Sequence, residues 1–311
     1  MPELVRPPVL WFNGRIVPWA EATVHVWSEV ATRGTNVFEG LRAYRDDVAG
    51  VHRLVSLDAH LRRLLESARL LRLPTAHVSR ASLTEAIFAL VAALDEPSHL
   101  YVRPTVYVEE GRHADMAMGA YVVAFPVGRA AGAERGLRCC ISTWRRASDA
   151  VFPPRIKSGA AYQAFRLSAI EAAERGFDEA ILLGHDGDVT EATGATVFAV
   201  RGGVAVTPPV SSSILESITR GHAMRLLAGM GIETVERPLN RTELYVADEV
   251  FLAGTLAEIA PVVGVDGLAV GDGRPGPVAT ACRDRYLAIC EGRERDADGW
   301  LTAVPAAARA S

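Results

Sequence analysis

The chain contains a single lysine, Lys157, among 33 lysine and arginine residues. A guanidinium group can replace an ammonium group in ion pairs and phosphate contacts, but it cannot form an imine with an aldehyde as an amine can. Drift in composition could also have left one lysine on a solvated surface. The chemical argument favours a Schiff-base lysine. Its position in the loop at residues 153–159, before a predicted helix, is typical of a displayed catalytic group.

Other residues fit a lysine that holds pyridoxal phosphate, whose ring needs an acid near its nitrogen, a phosphate cradle and a group near its hydroxyl. Glu191 lies between a predicted turn and a strand, where it could keep the ring nitrogen protonated or could be a surface loop acid. Ser217, Ile218 and Thr219 open a predicted helix, and helix N-termini bind anions. An ordinary helix cap is the more frequent function of a serine such as Ser217.

The pattern of apolar residues predicts an α+β protein of two domains. Alternation around Asn13 and Gly14 predicts a β-hairpin, and helical spacing after Ser56 predicts a helix that this serine caps. Further helices are predicted at residues 83–94, 160–175, 217–228 and 277–289. Further strands are predicted at residues 101–108, 121–127, 137–144, 179–183, 197–200, 233–237 and 249–253.

The glycine- and alanine-rich run at residues 128–136 is predicted to link two domains. We expect an N-terminal α+β domain at residues 1–127 and a mixed α/β domain at residues 137–311, with the cofactor between them. The residues after Trp300 carry no turn or cap signals, so they are expected to form a loosely held tail.

Composition argues against several other classes of function. A net charge of −4 and a pI near 6.1 give no basic surface for nucleic acid. No stretch has the ~20 apolar residues of a membrane helix, and residues 1–8 do not resemble a signal peptide, so we expect a cytoplasmic protein. The four cysteines and eight histidines show no metal-ligand spacing, so no metal site is expected.

Taken together, these segments resemble the branched-chain aminotransferases of class IV, the D-amino acid aminotransferase-like fold type IV of pyridoxal phosphate enzymes. The resemblance covers residues 10–289. Its markers are Trp11-Phe12-Asn13-Gly14, Val37-Phe38-Glu39-Gly40-Leu41-Arg42, Tyr101-Val102-Arg103-Pro104, Lys157 with Tyr162, Thr190-Glu191, Ser217-Ile218-Thr219-Arg220, Ala247-Asp248-Glu249-Val250-Phe251 and Gly254-Thr255.

The resemblance implies a function for each matching residue. Lys157 would form the Schiff base and move the proton, Glu191 would contact the pyridine nitrogen, and Tyr162 would donate to the ring hydroxyl. The phosphate would be bound by Arg63, Ile218, Thr219 and Thr255, with Ser217 beside them. The residues alone do not distinguish Arg63 from Arg62. The resemblance also implies a homodimer or higher homo-oligomer, in which residues 111–119 could reach the neighbouring chain.

The predicted substrate is an L-amino acid of the branched-chain kind, with a 2-oxo acid such as 2-oxoglutarate as acceptor. The pocket departs from the family, because Arg33 replaces a tyrosine and Val127 and Ala130 replace bulky aromatics. We therefore hypothesise a larger or carboxylate-bearing amino donor, whose carboxylate would bind Arg33 and Arg103. The alternative is that Arg33 turns outward or pairs with an internal acid such as Glu39. The substrate residues are expected to be Arg33, Phe38, Gly40, Tyr101, Arg103, Val127, Leu256 and Ala257, with Trp144 as a neighbour.

Three alternatives remain open from the sequence. A transaminase for D-amino acids or (R)-amines shares the fold, although the Tyr-Val-Arg-Pro stretch favours the L-type. An aminodeoxychorismate-type lyase would release pyruvate without a second substrate. A sensor or carrier that binds pyridoxal phosphate without turnover would not need Lys157, Tyr162 and Glu191 together.

Overall fold

The computed structural model describes residues 6–111, 115–129, 132 and 134–305. Contacts between Cα atoms divide the chain into two compact units. Unit 1 comprises Met1–Gly128, Ile156–Ala160 and Ile289–Ser311, and unit 2 comprises Arg129–Arg155 and Ala161–Ala288. Ala130, which we compared with a family aromatic, and residues 112–114 and 306–311 lie outside the described residues.

Runs of strands are interspersed with helices along the chain. In chain order the strands are β1 (Val9–Phe12), β2 (Arg15–Pro18), β3 (Asn36–Phe38), β4 (Leu41–Asp46), β5 (Val51–Val55), β6 (Leu100–Glu110), β7 (Ala117–Pro126), β8 (Leu137–Arg145), β9 (Glu179–Leu183), β10 (Val189–Ala192), β11 (Thr196–Arg201), β12 (Val204–Thr207), β13 (Thr234–Glu236), β14 (Glu249–Gly254), β15 (Glu258–Val265), β16 (Leu268–Ala269) and β17 (Leu301–Ala303). The helices are α1 (Glu29–Arg33), α2 (Leu57–Leu70), α3 (Arg80–Leu94), α4 (Tyr162–Glu174), α5 (Ile218–Gly229), α6 (Arg241–Tyr245) and α7 (Pro277–Cys290).

Unit 1 is built on an antiparallel sheet. Its strand order is β17-β5-β4-β6-β7-β1-β2, and β3 pairs with β6. The predicted hairpin is confirmed, because β1 and β2 pair across Asn13 and Gly14, which both adopt positive φ. Helix α2 buries one apolar face, which includes Leu57, Leu61 and Leu64. This helix carries several of the polar residues described below.

Unit 2 contains a mixed sheet with the order β10-β9-β8-β15-β14-β11-β12-β13. The additional pairing of β10 with β11 closes the first six of these strands on themselves. Apolar side chains from the closed strands form one core cluster, which includes Ile181, Val197 and Leu252. Helix α4 packs against β8 and β9. The closed sheet therefore gives its loops a rigid base.

Several features differ from the sequence-based expectations. Residues 156–160 and 289–311 group with unit 1 rather than with the predicted domain 137–311, because Lys157 accepts a hydrogen bond from Phe38 and β17 pairs with β5. The described part of the predicted tail therefore includes a strand. Ser56 precedes α2 as predicted but makes no side-chain cap, because it adopts the left-handed conformation at φ 51°. The linker at 128–136 stays a prediction.

The described residues also bear on the cysteines, on a metal site and on membrane helices. All four cysteines are buried thiols that take part in no disulfide. Among the residues that the structure describes, no three His, Cys, Asp or Glu side chains are grouped so that they could hold a metal ion. In the same part of the chain, every helix is too short or too polar to cross a membrane.

Candidate active site

The backbone around Lys157 is fixed within unit 1 by three hydrogen bonds. The amide of Lys157 donates to the Ser67 hydroxyl at 3.2 Å, and its carbonyl accepts from the Phe38 amide at 3.0 Å. Two residues later, the amide of Gly159 donates to the Asn36 side chain at 3.0 Å. A short loop anchored to α2 and β3 therefore sets the origin of the lysine side chain.

The aromatic ring of Phe38 contacts two cationic side chains. The Lys157 Nζ atom is 5.2 Å from the ring centroid, and the Arg103 guanidinium carbon is 3.8 Å from it. Phe38 is almost fully buried, whereas Lys157 is half-buried. Cation–π contacts of this kind hold a positive group over an apolar surface without neutralising it. The structure thus brings together Lys157 and two of the predicted substrate residues.

Helix α2 presents three polar side chains at helical spacing. His60, Arg63 and Ser67 are three and four residues apart, so they lie along one face of the helix. Ser67 contacts Lys157, whereas His60 and Arg63 contact the buried Glu39. Sequence reasoning named Arg63 on this helix from the family resemblance but missed His60, Ser67 and Glu39 as site residues. The spacing of His60 and Ser67 among the buried positions of α2 was the signal that could have revealed these two.

The structure distinguishes Arg63 from its neighbour Arg62. Arg62 is exposed, whereas the Arg63 side chain is 11% exposed and turns toward Glu39. Burial alone would raise the pKa of the Glu39 carboxyl, but Arg63 and His60 hold it well below its usual range. Burial lowers the pKa of His60, despite the opposing effect of Glu39. The cluster therefore combines a carboxylate, a guanidinium and a neutral imidazole.

Gly40 leaves space that Tyr101 fills. A β-carbon built on Gly40 would collide with the phenol oxygen of Tyr101. The Tyr101 ring is tilted against Phe125 at a centroid distance of 5.3 Å. The absence of a side chain at Gly40 therefore seats the Tyr101 ring, and its place among the substrate residues stays a prediction.

Glu191 lies on strand β10 in unit 2 and is 5% exposed, so it is neither a loop residue nor a surface acid. Its Oε1 accepts a hydrogen bond from Arg146 Nε at 2.7 Å. The amide of Leu215 contacts both carboxylate oxygens at 3.2 and 3.3 Å. The guanidinium of Arg146 lies 4.8 Å from the Phe165 ring. A buried carboxylate held by these partners has a fixed orientation.

Helix α5 begins next to this carboxylate in unit 2. Ser217 is its N-cap, because the serine hydroxyl accepts from the Arg220 amide at 3.2 Å. The prediction that Ser217 caps this helix is thus confirmed. A cap of this kind is compatible with an anion site at the same helix end. Ile218 and Thr219 occupy the first turn, where helical geometry gives the amides no intrahelical acceptor. Leu215 connects this turn to Glu191.

The turn between β14 and β15 carries Thr255, Leu256 and Ala257, all half-buried. A β-carbon on Gly254 would lie 2.5 Å from the carbonyl oxygen of Gly194, so this turn packs directly on the turn after Glu191. Pairing of β11 with both β10 and β14 holds the two turns together. Unit 2 therefore collects several of its predicted cofactor residues at one end of the closed strands.

Four further residues that the sequence predicted for the site take no part in the contacts described above. Arg33 ends helix α1 with half of its side chain exposed and pairs with Glu29 at 2.6 Å, so it turns outward as the alternative hypothesis held, although not toward Glu39. Tyr162 begins α4 and packs edge-on against Phe165. Val127 is half-buried and bonds His99 through its backbone. Trp144 is 47% exposed at the end of β8.

The side chains in both units fit the chemical demands of pyridoxal phosphate. A primary amine, Lys157, is available for an aldehyde, and a buried carboxylate, Glu191, is available for a protonated ring nitrogen. The first-turn amides of Ile218 and Thr219 are directed toward an anion by the helix geometry. The donors and acceptors therefore match the aldehyde, ring nitrogen and phosphate of this cofactor.

Comparison with known proteins gives a consistent result. The family described as amino-transferase class IV matches residues 36–265. Branched-chain-amino-acid aminotransferases of Salmonella typhimurium and Escherichia coli strain K12 are each 38% identical over 95% of this chain and 97% of the relative. A crystal structure of a branched-chain amino acid aminotransferase from Thermobaculum terrenum in its PLP-form has a TM-score of 0.91 at 38% identity and covers 96% of this chain and 99% of that one.

A second solved structure supports the same assignment. The Escherichia coli branched-chain amino acid aminotransferase has a TM-score of 0.92 at 36% identity, and the match covers 96% of this chain and all of that one. Matches of this length and identity, together with the family match, establish common membership. The chain therefore belongs to the class IV aminotransferases, enzymes that use pyridoxal phosphate to transfer amino groups between amino acids and 2-oxo acids.

Proposed function

We propose that this aminotransferase acts on branched-chain L-amino acids and returns the amino group to 2-oxoglutarate. The main support is the single lysine, Lys157, which is anchored beside Phe38 in a chain that resembles branched-chain enzymes over nearly its full length. One such relative with a solved structure was crystallised in complex with N-(5'-phosphopyridoxyl)-L-glutamate. That protein is 34% identical to this chain, which supports an acidic second substrate here.

Lys157 is the proposed catalytic residue. Bound pyridoxal phosphate supplies an aldehyde for amines and a ring that accepts the electron pair left when the α-proton departs. Lys157 would hold the cofactor through its side-chain amine. Once free, its Nζ would take the proton from the α-carbon of the amino acid and pass it on. The half-buried setting over Phe38 limits the solvation of this amine.

The proposed cofactor contacts follow the resemblance to the class IV aminotransferases. Glu191 would accept a hydrogen bond from the ring nitrogen, and Arg146 and Leu215 would keep its carboxylate in place. Tyr162 would donate to the ring hydroxyl. The phosphate would be bound by Arg63, by the amides and hydroxyl of Ile218 and Thr219, and by Thr255, with Ser217 holding the helix end.

The proposed substrate pocket is apolar with one cation. Phe38 and Tyr101 would contact the aliphatic side chain of a branched-chain donor, and Arg103 would pair with the distal carboxylate of glutamate. Leu256, Ala257 and Val127 remain proposed pocket residues. Because Arg33 turns outward and pairs with Glu29, Arg103 is the better candidate to bind the carboxylate of a donor.

The proposal can be tested by recording the visible absorption of the purified holoenzyme with one donor at a time. L-leucine, L-glutamate, D-alanine and a simple (R)-amine are added in separate cuvettes. We expect the visible band to fall with L-leucine and L-glutamate and to recover when 2-oxoglutarate is added. A response to D-alanine or the (R)-amine alone would overturn the L-specific proposal. Pyruvate released without a second substrate would indicate a lyase.

We also propose that the protein works in the cytoplasm as a homodimer or a higher oligomer. Val26 and Trp27 in unit 1 are each more than four-fifths exposed, and large apolar side chains of this kind are typical of protein interfaces. Light scattering coupled to size-exclusion chromatography tests this arrangement. A monomer at micromolar concentration would contradict it.

A further inference from the structure

The Glu39 carboxylate is fully buried in unit 1 and accepts hydrogen bonds from three residues. Arg63 donates through Nε to Oε1 at 2.6 Å and through Nη2 to Oε2 at 2.8 Å. His60 Nδ1 lies 2.7 Å from Oε2, and the Gly40 amide donates to the same oxygen at 3.2 Å. A carboxylate can only accept, so His60 carries its proton on Nδ1.

The charges of this cluster are balanced among its own side chains. Burial lowers the pKa of His60, and the nearby positive charges of Arg63 and Lys157 lower it further, whereas Glu39 raises it. His60 is therefore a neutral donor, and Arg63 alone compensates the charge of Glu39. Because both oxygens are engaged, the carboxylate has little freedom to rotate toward another cation.

A buried ion pair needs an explanation beyond stability. Replacing such a pair with apolar residues of similar volume is often neutral or stabilising. The surrounding face of α2 is apolar and would accept such residues, since Leu57, Leu61 and Leu64 are buried beside it. What the pair provides is orientation, because two parallel hydrogen bonds on one edge fix the plane of a guanidinium group.

We propose that Glu39 and His60 are positioning residues that orient Arg63 for the phosphate group of the cofactor. The inference rests on the proposed function, in which Arg63 binds that phosphate. Glu39 holds the edge of Arg63 formed by Nε and Nη2, and His60 holds Glu39. The positive charge of Arg63 is thereby fixed before the cofactor arrives, so no ordering of a long side chain is needed on binding.

The test compares two ligands that differ only in the phosphate group. The full chain, freed of cofactor, is titrated with pyridoxal phosphate and with pyridoxal, and the two dissociation constants are measured by absorption. We expect Glu39→Gln to weaken binding of pyridoxal phosphate about 10-fold to 100-fold, as for loss of a charge-assisted hydrogen bond, while pyridoxal binding changes little. A merely structural role would weaken both ligands alike.

His60 provides a second variant if Glu39→Gln fails to fold. His60→Leu removes the donor and should reduce the preference for pyridoxal phosphate over pyridoxal, whereas the amide of His60→Asn should restore it. Glu66→Gln is the matched control, because Glu66 is an exposed residue of the same helix. An unchanged preference in Glu39→Gln or His60→Leu would overturn the inference. If the unaltered chain bound neither ligand, the proposed function itself would be wrong.

Discussion

The guanidinium of Arg63 donates two hydrogen bonds to Glu39, at 2.6 and 2.8 Å, in a buried part of unit 1. Arg33 and Glu29 form an ion pair with the same shortest distance, 2.6 Å, but half of the Arg33 side chain is exposed. Solvent screening leaves an exposed pair worth about 0–1 kcal/mol. Removing one partner of a buried pair costs about 3–5 kcal/mol. The two ion pairs therefore differ in their energetic contribution because of burial, although their shortest distances are equal.

Glu39→Gln should lower the free energy of unfolding at neutral pH. It should also make that free energy less dependent on pH in the acid range. The pKa of Glu39 is depressed in the folded chain, so the unfolded chain binds its proton first as the pH falls below the ordinary value of 4.5. The stability that Glu39 contributes is therefore present above that pH and is lost below it. Urea unfolding at pH 7, 5 and 4 measures the slope. Parallel slopes for the variant and the unaltered chain would contradict this assignment.

Lys157→Arg should abolish transamination while leaving the positive charge in place. Arginine cannot form the covalent link to an aldehyde, so turnover should fall by about 1000-fold or more. Borohydride treatment of the unaltered holoenzyme should fix the cofactor on the peptide that contains Lys157, and mass spectrometry of a digest reports it. The same treatment of the variant should leave that peptide unlabelled. Labelling at another site would show that Lys157 does not hold the cofactor.

Glu191→Gln should reduce turnover far more than cofactor affinity. The amide keeps the size of the side chain and one oxygen acceptor for Arg146, but it cannot favour a protonated ring nitrogen. We expect turnover to fall about 100-fold or more, as for loss of assistance to proton transfer. Glu216→Gln is the control, because Glu216 is a half-exposed acid paired with Arg155. Equal losses in turnover and affinity would indicate that Glu191 only helps to bind the cofactor.

Local sequence patterns predicted much of the fold. The hairpin at Asn13 and Gly14, helix α2 and strand β9 are encoded by turn residues and periodicity over a few positions. Strands β3, β12, β15 and β16 and helices α1 and α6 were missed, as were strands β10 and β17. Both are short, and their partners β11 and β5 are chosen by tertiary pairing rather than by local preference.

The candidate site was predicted in a similar way. Lys157 emerged from composition alone, and the first turn of α5 emerged from its polar cap. The contact of Glu39 with Arg63 joins residues 24 positions apart, and Arg146 joins Glu191 over 45 positions. Such pairings depend on strand order, which a single sequence does not reveal. The choice between Arg62 and Arg63 therefore needed the family or the structure.

Arg33→Tyr should leave the ranking of donors unchanged. The Arg33 side chain points outward to Glu29, so its loss should change the free energy of unfolding by less than about 1 kcal/mol. Initial rates with L-glutamate and L-leucine measure the ranking. Arg103→Leu is the comparison, because Arg103 lies over Phe38 and should be needed for L-glutamate more than for L-leucine. Selective loss of L-glutamate in Arg33→Tyr would show that Arg33 reads the carboxylate.

Gly254→Ala should disturb the turn that carries Thr255. The new β-carbon would lie 2.5 Å from the carbonyl oxygen of Gly194 and 2.9 Å from the β-carbon of Ala195, and neither belongs to a flexible side chain. Separation of the two turns should cost about 1–3 kcal/mol of unfolding free energy and should weaken binding of pyridoxal phosphate. Denaturant unfolding and cofactor titration measure the two effects.

Gly221→Ala provides the opposite case in the same unit. Gly221 lies inside α5, where an added β-carbon would meet no atom from outside the adjoining helix backbone within 4 Å, so the substitution should stabilise the helix by roughly 0.5–1 kcal/mol. If both variants were destabilised alike, a general sensitivity of unit 2 would explain the result. Opposite signs would show that close packing at Gly254, not loss of a glycine as such, holds Thr255 in place.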